Sequence, residues 1–229
     1  MDIMQENQWV SPYVSVDCVV FQLISNRLYV LLVKRKRDPY INKWALPGGF
    51  CPSGTKTYDA MTDNMRAKTG IIAEKLHVLE QLYTFDAIDA DPRGPNVIVS
   101  YLGLTRNITP LASKTTENPQ FFPVDDLPDD LAYNHHEIID YAIDRLRSKI
   151  TYTNAVFALL PKLFTFNQLQ SAYETILGHR LDKRNFRKKF MSLDMIRETE
   201  EYLREGAHRP AKLFRFNEQQ LEYLSRTFD

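Results

Sequence analysis

The chain has 229 residues, 44% of them hydrophobic and 25% charged, enough apolar material for one large domain or two small ones around a buried core. Its 29 basic and 29 acidic side chains cancel, so no overall field draws it to polyanions, and any nucleic-acid surface must be local. Cys18 and Cys51 are too few for a disulfide framework or a metal pair, the first residues lack the basic-then-apolar pattern of a signal peptide, and no apolar run approaches the ~20 residues that span a bilayer. A cytoplasmic protein without membrane contact is expected.

In chain order, residues 14–24 (VSVDCVVFQLI) and 28–33 (LYVLLV) are rich in β-branched residues and are separated by Ser25-Asn26-Arg27, the pattern of a β-hairpin. Residues 57–69 read as a helix, with Tyr58, Met61 and Met65 at i, i+3 and i+7 and Gly70 as its stop. Residues 76–85 and 96–105 read as strands, and Asp91-Pro92-Arg93-Gly94-Pro95 can only be a loop. A second helical stretch runs from Asp129 to Lys149 with Ile138, Ile139, Ala142, Ile143 and Leu146 on one face.

The pattern changes near residue 150. Helical periodicity over 151–160 and 166–177 is interrupted by Pro161, and Gly178 ends the second segment. Asp182 can cap a third helix over 183–193. Two strand-like pieces follow, about 196–203 and 211–216, joined by a turn containing Gly206, His208, Arg209 and Pro210. Helix, helix, helix, hairpin is the order of a winged helix-turn-helix. The expected domains are therefore residues 1–150, mixed α and β, and residues 151–229, DNA-binding.

Residues 46–71, LPGGFCPSGTKTYDAMTDNMRAKTGI, carry the chemical question. The stretch resembles the Nudix box, G-x5-E-x7-R-E-U-x-E-E-x-G-U with U aliphatic, whose glutamates hold divalent metal against a diphosphate. With the first Gly on Gly49, the remaining positions fall on Thr55, Asp63-Asn64, Met65, Ala67-Lys68 and Gly70-Ile71 without a gap. The frame persists and the metal-binding glutamates do not, which implies no metal, no cofactor and no hydrolytic activity.

With Arg37-Asp38-Pro39-Tyr40, Trp44-Ala45-Leu46-Pro47-Gly48-Gly49-Phe50, Tyr83-Thr84-Phe85, Asp91-Pro92-Arg93-Gly94 and the basic run 181–189, the chain resembles the Nudix-related transcriptional regulators over residues 13–216. That resemblance implies an α+β fold, a Nudix-like α/β/α sandwich with a mixed sheet followed by a winged helix-turn-helix. It also implies a homodimeric repressor that binds double-stranded operator DNA and releases it when a metabolite enters the sensor domain. Many members sense ADP-ribose or a related nucleotide. A branch found in gut Bacteroides-type bacteria governs pentose use, and its arabinose-responsive regulator points to L-arabinose or a related pentose as effector.

The residues bear on that choice. Asp86, Asp89 and Asp91 against Arg93 do not favour a diphosphate, which demands positive charge. ADP-ribose sensors of the family usually carry an arginine just before the Asp-Pro-Arg-Gly motif, where this chain has Ala90. Lys43, Trp44, Tyr83, Asp86, Asp89, Asp91 and Asn96 offer the hydrogen-bonding groups and aromatic plane that a neutral sugar needs. An ADP-ribose sensor of the same architecture and a divergent Nudix hydrolase remain as alternatives.

For DNA, residues 179–193 hold six basic side chains, while Phe186, Phe190 and Leu193 define a buried face. Lys183, Arg184, Asn185, Arg187 and Lys188 then face outward, where Arg reads guanine, Asn reads adenine and Lys neutralises phosphate. Thr165, Asn167 and Gln168 open the preceding helix as candidate phosphate contacts, and His208 and Arg209 sit at the expected wing tip.

Overall fold

The computed structural model describes residues 11–87, 90–112, 116–204 and 210–224. Strands β1 (Tyr13–Ile24) and β2 (Arg27–Arg35) form the expected hairpin, with Phe21 opposite Val30 and Ile24 opposite Arg27. Ser25 and Asn26 both take positive φ, 49° and 60°, the mirror-image turn whose twist matches that of paired strands. Three strands of this sheet are not visible in the sequence: the short β3 (Trp44–Ala45) and β4 (Gly48–Phe50), and the longer β7 (Thr116–Pro123). With β5 (Val78–Ala87) and β6 (Asn96–Thr105) they complete a sheet ordered β3-β2-β1-β6-β5, β4 pairing on β1 and β7 on β2. β1 and β6 run parallel and the other pairs antiparallel, so the sheet is mixed.

Alternation along β1 divides the core. Val16, Cys18 and Val20 point to one face, where helix α1 (Thr57–Thr69) contributes Ala60, Met61 and Met65. Val19 and Phe21 point to the other, where helix α2 (His135–Tyr152) contributes Ile138, Ile139, Ala142 and Leu146. This is the expected sandwich. α1 ends on Gly70, whose φ of 70° is the left-handed stop favouring glycine.

α2 begins six residues later than the sequence pattern places it. The preceding segment is taken by the sheet: Leu131 bridges Trp44, and the Ala132 N–H donates to the Trp44 carbonyl at 2.7 Å. The helix expected over 151–160 is also absent. α2 runs on to Tyr152, past the division set at residue 150. Thr153 then leaves the helix extended, its hydroxyl and N–H both returned to the Lys149 carbonyl, and only a 3-10 turn, Ala155–Ala158, follows.

The C-terminal unit comprises β8 (Phe164–Thr165), α3 (Phe166–Leu177), α4 (Lys183–Ser192), β9 (Ile196–Leu203) and β10 (Ala211–Phe216), its sheet ordered β8-β10-β9. Phe164, Phe166, Tyr173, Phe186, Phe190 and Phe214 form its aromatic core. That core is continuous with the apolar layer between α2 and the sheet. Polar contacts reinforce the join. Arg106, just beyond β6, donates to the carbonyls of Phe157 (2.8 Å) and Leu160 (2.7 Å), and the Thr175 hydroxyl donates to Asn26 in the first hairpin. No helix among the described residues is long and apolar enough to cross a membrane.

Candidate functional site

A cleft of about 370 Å³ opens where β1, β4, β6, the end of α1 and the start of α2 meet. Its floor is fixed by close backbone approach. A Cβ on Gly48 would fall 1.8 Å from Asp17 Oδ1 and 2.2 Å from the Val16 carbonyl oxygen, so only glycine lets β4 lie this close to β1, while one on Gly49 would meet the Asn64 side chain. Asp17 and His135 are buried side by side, Asp17 Oδ2 3.4 Å from His135 Nε2. The Leu46 N–H donates to His135 Nδ1 at 2.9 Å, which leaves the proton on Nε2, facing Asp17. His135 is also the first residue of α2.

Five basic residues line the cleft, Arg35, Lys36, Arg37, Lys68 and Arg93, against three acidic ones, Asp17, Asp38 and Asp91. Asp91 is buried and held by Arg93 in a bidentate pair of 2.6 and 2.8 Å, and it also accepts from the Arg93 backbone N–H. Burial pushes the Asp91 carboxyl up, but its hydrogen bonds to Arg93 outweigh that and hold it below the usual carboxylate range. The Arg93 guanidinium lies 4.3 Å from the centre of the Phe50 ring, and Arg35 lies 5.0 Å from that of Tyr133. The Lys68 ammonium donates to the Gly48 carbonyl. Asn96 donates to the Ser15 hydroxyl at 2.8 Å, while its buried amide oxygen has no protein partner.

The seven residues expected to contact an effector therefore separate. Asp91 and Asn96 line the cleft. Trp44 lies against Phe122, ring centres 4.6 Å apart, and packs on the core; β3 turns Ala45, not Trp44, to the cleft. Lys43 is placed over the Tyr40 ring. Tyr83 stacks on Tyr141 outside, and Asp86 is exposed on the edge strand β5. Asp89 lies outside the described residues. What the sequence reading omitted was the basic run Lys34-Arg35-Lys36-Arg37 leaving β2, three of whose members line the cleft. Its charge overturns the balance drawn from the 86–94 loop alone. That loop's Asp91 and Arg93 neutralise each other, so the field a diphosphate would meet is set by Arg35, Lys36, Arg37 and Lys68 against Asp17 and Asp38.

In the C-terminal unit, α4 is capped by Asp182, which accepts from the Asn185 N–H at 2.8 Å. Phe186 and Phe190 are buried, and Lys183, Arg184, Asn185, Arg187 and Lys188 are exposed, as expected. The Arg187 guanidinium lies over Phe166 at 4.7 Å, which fixes where its charge is presented. At the start of α3 Asn167 is exposed, but Thr165 and Gln168 are engaged with each other. The Thr165 hydroxyl accepts from the Gln168 N–H (3.2 Å) and the Gln168 side chain accepts from the Thr165 N–H (2.8 Å). Their side-chain oxygens cap the helix as acceptors, which leaves the Thr165 hydroxyl proton and the Gln168 amide protons to donate. His208 and Arg209 lie outside the described residues.

Comparison with known proteins places both units. Residues 12–142 match the NUDIX domain family, and residues 156–216 match the NrtR DNA-binding winged helix domain. The chain belongs to the NrtR-type Nudix regulators. It is 33% identical over 223 residues, 96% of this chain and 88% of the other, to the ADPR responsive transcriptional repressor NtrR of Acinetobacter baylyi. It is similar to Shewanella oneidensis NrtR in complex with a 27mer DNA, with a TM-score of 0.79, 27% identity and coverage of 94% of this chain and 99% of that one. The NUDIX domain of the same protein complexed with ADP ribose matches with a TM-score of 0.55 and 28% identity over 60% of this chain and 90% of that one.

The Nudix-type domain implies a divalent metal, and the donor set here does not fit one. Asp63 faces solvent, paired with Arg66 at 3.2 Å. The Asn64 amide donates to the Ala60 carbonyl. Ala67 has no donor, and Lys68 brings a positive charge. Among the described residues, no three His, Cys, Asp or Glu side chains are grouped to hold a metal ion.

Proposed function

We propose that this chain is a transcriptional repressor in which ADP-ribose enters the Nudix-type cleft and weakens operator binding by the winged helix. The likeness to an ADPR-responsive repressor across both domains carries this reading, and the excess of basic over acidic residues in the cleft, five to three, supports it. That excess supplies the charge that a diphosphate requires. The expectation of L-arabinose is replaced: a neutral pentose has no use for that charge, and Trp44, the aromatic plane assigned to the sugar, is packed on the core.

The cleft acts as a sensor, not a hydrolase, because the box positions that should hold metal carry Thr55, Asn64, Ala67 and Lys68. A relative at 30% identity over 141 residues, the ADP-ribose pyrophosphatase of Methanocaldococcus jannaschii, motivates the direct check, AMP release from ADP-ribose with Mg2+, which we expect to be absent. The repressor acts in the cytoplasm as a homodimer whose two α4 helices read paired half-sites.

Fluorescence anisotropy on DNA from upstream of the protein's own operon tests the proposal. Salt-dependent binding, reversed by ADP-ribose and unaffected by L-arabinose, is expected. Release by arabinose alone would overturn the effector; no binding to such DNA would overturn the repressor.

A further inference from the structure

The residue that fills the last glutamate position of the Nudix box is a cation, and its surroundings are those of a cation site. Lys68 lies on the final turn of α1 and reaches into the cleft floor, where its ammonium donates to the Gly48 carbonyl. The Asp17 carboxylate is pressed against the same glycine, so carbonyl and carboxylate oxygens converge on one positive charge. Arg35 and Arg93, which line the same cleft, add their fields to it. A divalent ion placed there would meet this ammonium and find few oxygen ligands, since Asp63 points to solvent and Ala67 has none to give.

We propose that Lys68 is a built-in substitute for the metal ion: it holds the nucleotide diphosphate directly, so the cleft binds its effector without divalent cations. The proposal rests on the ADP-ribose reading above and adds to it the group that makes sensing independent of metal. Burial pushes the Lys68 ammonium below the ordinary lysine range, with Arg35 and Arg93 lowering it further and Asp17 opposing them. An anion entering beside it relieves this position, which favours binding of phosphate over a neutral ligand.

Calorimetric titration of ADP-ribose into the full-length protein, once in EDTA and once in Mg2+, tests this. The wild type should bind with affinities within about twofold of each other in the two buffers. Lys68→Met should weaken binding tenfold or more in both. Lys68→Glu should weaken it further in EDTA and recover part of the loss in Mg2+. Operator binding without ligand reports that each variant is folded, because α4 is remote from the cleft. Wild-type binding only with Mg2+, or full affinity in Lys68→Met, overturns the metal substitute and leaves the ADP-ribose reading intact. Absence of wild-type binding in both buffers overturns both.

Discussion

At the residue scale the site depends on charges that neutralise one another before any ligand arrives. Asp91 is 5% exposed and survives as a carboxylate because Arg93 grips both of its oxygens. Its folded pKa is depressed, so its contribution to stability is complete above the ordinary carboxylate value and is lost as pH falls through the folded one. Arg93→Ala removes the side-chain grip and keeps the backbone N–H bond and the field of Arg35, so burial weighs more heavily and the folded pKa rises. We expect the variant to lose about 1–3 kcal/mol at pH 7, the cost of a buried acceptor without its partner. The deficit should shrink as pH is lowered and Asp91 protonates. Urea denaturation at pH 7 and pH 4 checks this; a deficit that grows on acidification would contradict it. Asp91 and Asn96 were legible as candidates because a polar residue in a loop or at a strand end commonly faces a cleft. Arg35 and Lys68 were equally visible, but the direction of a side chain leaving a strand or a helix end depends on the neighbours that fold around it.

At the element scale most of the patterned segments were read correctly, but the helix placed over 151–160 and the strands β3, β4, β7 and β8 were not. The periodicity of 57–69 gave α1 to the residue, and the β-branched and apolar richness of 14–24 and the strand pattern of 96–105 gave the sheet's centre. β3, β4 and β8, two or three residues each, exist only because a neighbouring strand supplies their partners, so no local pattern announces them. The start of α3 is a different case. Thr165-Phe166-Asn167-Gln168 has the spacing of a capping box, a signal available in the sequence beside the phosphate contact expected there. Thr165→Ala removes the hydroxyl that accepts from the Gln168 N–H and should cost about 1 kcal/mol, whereas Thr165→Ser should cost less. Thermal unfolding of the two variants separates capping from DNA contact. If Thr165→Ala keeps its melting temperature and loses operator affinity, the phosphate reading prevails.

At the scale of the whole molecule, two rigid elements connect the cleft to the DNA-binding unit. α2 starts in the cleft at His135 and ends at Tyr152, whose ring stacks on Tyr223. β6 starts in the cleft at Asn96 and Ile98 and ends beside Arg106, which holds the carbonyls of Phe157 and Leu160 in the turn that leads into the winged helix. A ligand shifts the operator-binding equilibrium only through interactions that differ between the two states. A cleft closing on a diphosphate would move the near ends of both elements, and Arg106 is the polar link at the far end of β6. Arg106→Ala should therefore leave the separate affinities for DNA and for ADP-ribose within several-fold of wild type. It should reduce the factor by which saturating ADP-ribose weakens operator binding. Linkage requires the reverse effect, of DNA on ADP-ribose affinity, to fall by the same factor. Anisotropy measured with and without ADP-ribose, paired with calorimetry with and without operator, gives both sides of that cycle. An unchanged factor in the variant would assign the coupling to the other connections, α2 among them, and unequal factors on the two sides would show that one of the titrations had not reached equilibrium.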